Sequence, residues 1–81
     1  MHEAGVAERI AEAALAAAGE RAAAVTAVEV EAGPRAVSDE ALLFHWAGAV
    51  RGTPIEGAAL RIVPVDDPAA LRLVALELDE T

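Results

Sequence analysis

The stretch AAVTAVEVEAG (residues 23–33) decides what kind of domain this chain forms. Thr26, Val28 and Val30 alternate there with Ala27, Glu29 and Glu31, and a period of two marks a strand with one buried and one wetter face. Upstream, residues 3–18 are rich in Ala, Glu and Arg, all good helix formers. Val6, Ile10, Ala13, Ala14 and Ala17 recur at helical spacing and define one apolar face. Gly19 supplies the stop, since glycine tolerates the left-handed conformation that ends helices.

Downstream, GPRAVS (residues 33–38) reads as a loop punctuated by Gly33-Pro34. Ser38 is placed to cap a second helix, and Asp39 and Glu40 set negative charge on the positive end of its dipole. Val37 and Leu42 occupy the two positions of a hydrophobic staple. The helix DEALLFHWAGAV runs to Arg51, and Gly52 with Pro54 closes it. A second strand is expected over residues 59–65, a turn at DDPAA (66–70), and a third strand at LRLVALEL (71–78). The expected fold class is α+β: two helices packed on one face of a three-stranded mixed sheet, in the order α-β-α-β-β. A crossover helix allows the first two strands to run parallel, and the short turn suggests that the last two form an antiparallel hairpin.

Eighty-one residues form a single domain, 1–81, with one modest core. Hydrophobic residues make up 56% of the chain, but there is one Trp, one Phe and no Tyr, so the core must be Val, Leu, Ile and Ala. So small a core makes self-association a natural supplement, and a homodimer is a candidate state. The net charge is -8, and all six basic residues are arginine, so binding to a phosphate backbone is not expected. Nothing reads as a signal peptide or membrane span, and the expected location is cytoplasmic.

Catalytic machinery is scarce. The single serine, Ser38, is used as a cap, and no lysine is present for Schiff-base chemistry. Thr26, Thr53 and Thr81 have no adjacent base. With no cysteine in these residues, disulfides, thiolate metal sites and a thiol nucleophile fall away together. Asp66-Asp67 reads as a solvated turn, not an acid–base pair. The expectation is no enzyme, no catalytic residue and no bound organic cofactor.

The first three residues keep a different chemistry open. Met1, His2 and Glu3 concentrate an α-amine, an imidazole and a carboxylate. The amine has an ordinary pKa of roughly 8 and the imidazole about 6.5, so both lose protons near neutrality. With His at position two, the amine, the His2 amide nitrogen and the ring can chelate one ion through fused rings. Such a nitrogen plane suits Ni(II) or Cu(II), and the Glu3 amide or carboxylate can complete it. An initiator methionine ahead of a bulky residue is retained, which would keep His2 in place. The alternative is a frayed helix start, with Glu3 a first-turn acid favoured by the dipole.

Several motifs in order resemble one known family. MHE begins the chain, followed by an amphipathic helix, the strand pattern V-x-V-E-x-G (28–33) and V-x-x-EAL-x-F (37–44). RGTPIEGAALRIVPV (51–65) is similar to that family's RGT-x-x-EGA-x-L-x-I segment. The family is HypA/HybF, the nickel chaperones of hydrogenase and urease maturation. The resemblance implies a Ni(II) site built from the Met1 amine, the His2 amide and imidazole, and the Glu3 amide. It also implies a maturation GTPase or a metalloenzyme client as partner.

The chain departs from that pattern between its last two strands, where the family inserts a zinc domain carrying two CxxC pairs. Here DDPAA (66–70) stands in its place, so no zinc is expected. The competing reading is a metal-free, HypA-like protein–protein interaction module. Its candidate interface is the uncharged helix 41–50, with Leu43, Phe44 and Trp46 as contact residues. His45 on that helix reads as a partly buried structural histidine, because no other ligand lies three or four residues away.

Overall fold

The computed structural model describes residues 3–79. Helix α1 (Glu3–Ala18) is followed by a 3₁₀ segment (Gly19–Ala24), strand β1 (Val25–Ala32), helix α2 (Asp39–Val50), and strands β2 (Ala59–Pro64) and β3 (Leu71–Leu78). Gly19, at φ 55°, ends α1 in the left-handed conformation expected of it. Ser38 Oγ accepts from the Ala41 amide at 3.4 Å, and Val37 and Leu42 are both buried, so cap and staple form together.

The three strands make one mixed sheet in the order β2-β1-β3. β1 and β2 run parallel, with Val28 beside Leu60 and Val30 beside Ile62. β3 lies antiparallel to β1 on the other side. The expected β2–β3 hairpin is therefore not formed, and β1 separates the two strands. The reason lies in the connecting turn. Strands pack about 4.8 Å apart, so reaching the far side of β1 needs a step of roughly 10 Å, within the span of five residues. The turn makes that step across the end of β1. The Gly33 amide donates to Ala70 O at 2.8 Å, and the Arg35 amide to Pro68 O at 2.8 Å. A Cβ at Gly33 would overlap the backbone carbonyls of Asp67 and Pro68, so only glycine lets the two segments pass.

One sheet face carries the core. Val28 and Val30 are fully buried between the sheet and the helices, with Val6, Leu42 and Ile55. Leu60, Ile62 and the four leucines of β3 pack on the same side. The opposite face is exposed and carries ion pairs between Arg61 and Glu77 and between Arg72 and Glu31. In α1 the buried stripe is Val6, Ala7, Ile10, Ala11 and Ala14, while Ala13 and Ala17 are exposed. The stripe is rotated from the expected one because α1 packs against α2 as well as the sheet.

Two bulges adjust the strands. In β1 a register shift between Val25 and Ala27 turns Thr26 outward, although it shares the alternation of Val28 and Val30. Its hydroxyl donates to Glu77 O at 3.2 Å. In β3 the shift leaves Val74 as an extra residue between Leu73 and Ala75. LRLVALEL requires it: Leu71 and Leu73 are odd, Leu76 and Leu78 even, and one added residue brings all four to the core face.

Gly33→Ala is expected to lower stability by about 2–3 kcal/mol through a backbone overlap that no rotamer relieves. Gly48→Ala, where an added Cβ meets nothing within 4 Å, is expected to raise it by up to about 1 kcal/mol. Urea unfolding of the two variants against the parent checks both signs.

Candidate metal-handling end of the domain

The two helices begin at the same end of the molecule. The Ser38 amide donates to Glu3 Oε2 at 3.4 Å, which sets the start of α1 beside the cap of α2. Glu3, Asp39 and Glu40 thus lie in the first turns of neighbouring helices, where the dipoles favour negative charge. Of the three residues expected to hold a metal, Met1 and His2 lie outside the described residues. Glu3 is the first residue of α1, and its carboxylate is engaged with the α2 cap. Among the described residues, no group of three or more His, Asp or Glu side chains converges on a point that could hold an ion.

His45 is half-buried, as the sequence suggested, and faces the α1–α2 cleft beside Ala4, Glu8 and Ala49. Its ring meets Phe44 edge to face at 5.2 Å. That Glu8 lines the same cleft as His45 was not visible in either helix alone, because it arises only when α1 docks on α2. Asp66 and Asp67 are exposed turn residues, and Asp67 Oδ1 accepts from the Ala69 amide at 3.2 Å, as an Asx turn does.

The candidate interface divides. Leu43 and Phe44 are exposed, Phe44 at 79%. Trp46 is buried instead, on the Leu42–Trp46–Val50 stripe, and its Nε1 donates to Ala58 O at 2.8 Å. The indole is committed to the core because its N–H finds a partner only there, in the loop that follows α2. That loop is shaped by Gly52 and Gly57, both at positive φ, and by Thr53, whose hydroxyl donates to Val50 O at 2.7 Å. A contact surface on α2 therefore has Leu43 and Phe44 at its disposal, not Trp46.

The distinctive features of the described residues are a helix pair with both amino termini together and exposed Leu43 and Phe44 on α2. The sequence profile described as hydrogenase/urease nickel incorporation, metallochaperone, hypA matches residues 1–70, and the chain belongs to this family. It is a family of metallochaperones, not of enzymes, and its work lies in hydrogenase and urease maturation. A comparison with curated protein sequences returns no match. Among the described residues, no helix is long and apolar enough to cross a membrane.

Trp46→Phe is expected to cost about 1–3 kcal/mol, since it leaves the Ala58 carbonyl buried without its donor. Phe44→Ser is expected to change stability by no more than about 0.5 kcal/mol. Thermal or chemical unfolding of the pair tests which aromatic belongs to the core.

Proposed function

We propose that the chain carries Ni(II) as cargo at a free Met1 amino terminus, for insertion into a metalloenzyme of the hydrogenase or urease type. The observation that supports this most is the family match, which begins at residue 1 and so includes Met1-His2-Glu3. The ligands in this reading are the Met1 amine, the His2 amide and imidazole nitrogens, and the Glu3 amide. Four nitrogens in a plane suit Ni(II), and the amide protons are displaced on binding. The engagement of the Glu3 carboxylate by the Ser38 amide agrees with a backbone role for Glu3. A maturation GTPase and the client enzyme are the proposed partners, and the chain works in the cytoplasm without zinc.

A second reading keeps the scaffold and drops the metal. The 79% exposure of Phe44 beside exposed Leu43 favours a protein-binding surface on α2. The two readings separate in one titration of Ni(II) into protein that begins at Met1. The expected result is one equivalent bound with a square-planar absorption band, lost in His2→Ala. Protons compete for the imidazole, so binding should weaken as the pH falls below about 6.5. Equal binding by parent and His2→Ala would overturn the nickel site. Retention of a client or GTPase by the His2→Ala variant, with loss on Phe44→Ser, would favour the metal-free module.

A further inference from the structure

β3 is an edge strand, hydrogen-bonded to β1 on one side and to no other strand among the described residues. An open edge of eight residues is a template for another strand unless something blunts it. Nothing in LRLVALEL does so by proline or lysine. Its sidedness is instead symmetric about the centre: Leu71 and Leu73 at one end and Leu76 and Leu78 at the other face the core side, with Arg72 and Glu77 facing out. An ordinary eight-residue strand cannot have this symmetry, because its two halves would point to opposite faces. The bulge at Val74 creates it.

From this self-complementarity we infer that β3 pairs antiparallel with β3 of a second copy, across a two-fold axis at Val74–Ala75. In that register Leu71 lies opposite Leu78, Leu73 opposite Leu76, and Arg72 opposite Glu77, each pair on one face. Both bulges fall together on the axis, so the ladder resumes in step on either side. The charges match without rearrangement. Arg72 already pairs with Glu31, and Glu77 with Arg61. Joining Arg72 of one copy to Glu77 of the other gives a row of alternating sign, Arg61–Glu77 then Arg72–Glu31, across the outer face of a six-stranded sheet.

The groove beneath the strand agrees. Val6, Ile10, Leu71 and Leu73 line an open hollow of about 280 Å³ between α1 and β3, flanked by Arg9 and Arg72. Antiparallel pairing brings the other copy's Leu78 and the acidic Glu77 and Asp79 to this end. A chain of net charge -8 thus places acidic residues where two of its six arginines stand. The pairing also covers half-buried leucines that one copy leaves partly open, which suits a domain with so small a core.

Sedimentation equilibrium on the 81-residue protein tests the pairing. The parent is expected to dimerise, and Arg72→Glu and Glu77→Arg are each expected to weaken the dimer at least tenfold, since each sets like charges opposite twice. The double variant R72E/E77R restores the opposite pairing between copies while both pairs within each copy, Arg72–Glu31 and Glu77–Arg61, stay broken. Its recovery to within about threefold of the parent is expected. Leu43→Glu with Phe44→Glu should leave the dimer unchanged. A parent that stays monomeric at millimolar concentration, no recovery in the double variant, or a dimer abolished through Leu43 and Phe44 would each overturn the proposal.

Discussion

Where the turn 66–70 crosses Gly33, two backbone segments meet with no room for a side chain between them, and the placement of every later residue depends on that crossing. The hydrogen bonds from the Gly33 and Arg35 amides hold the turn over the end of β1, so the chain emerges on the far side of β1 and not beside β2. β1 then becomes the central strand, paired along both edges. Its valines Val28 and Val30 reach full burial because strands flank them and helices cover them. Had the chain turned back along β2, β1 would be an edge and the four leucines of β3 would lie beyond the reach of α1.

Much of this architecture was legible in the residues because it rests on local chemistry. Ser38 with Val37 and Leu42 marks the start of α2, and Gly19 the end of α1, through backbone and side-chain geometry that a short window contains. The neighbour of a strand is not local information. The leucines of LRLVALEL mark which residues seek the core, but carry nothing about which edge the strand seeks. Thr26 illustrates the same limit, because one bulge reverses its side while the pattern around it stays intact. Trp46 shows the limit again: the sequence offered it as a contact residue of α2, but it is buried on the Leu42–Trp46–Val50 stripe, where its N–H reaches the Ala58 carbonyl of the following loop.

Membership of a metallochaperone family was legible in several motifs along the chain, whereas the candidate metal site rests on the chemistry of three residues. What the fold adds is the setting of Glu3. α1 and α2 start side by side, so Glu3 lies next to the acidic first turn of α2. The cleft holding His45 and Glu8 opens between the same two helices, built from positions far apart in the chain. Neither could be read from one helix alone, because both depend on how closely two alanine-rich surfaces approach.

The apolar character of the interior has a consequence for how a carrier of this kind behaves. Among the described residues no charged or polar side chain is buried apart from the satisfied indole of Trp46, and the Arg61–Glu77 and Arg72–Glu31 ion pairs lie on the exposed sheet face. The buried interior is therefore held by apolar contact and backbone hydrogen bonds, with no ionised side chain to be paired inside it. A carrier built this way keeps the charge of its described residues at the surface, where solvent and partners meet it.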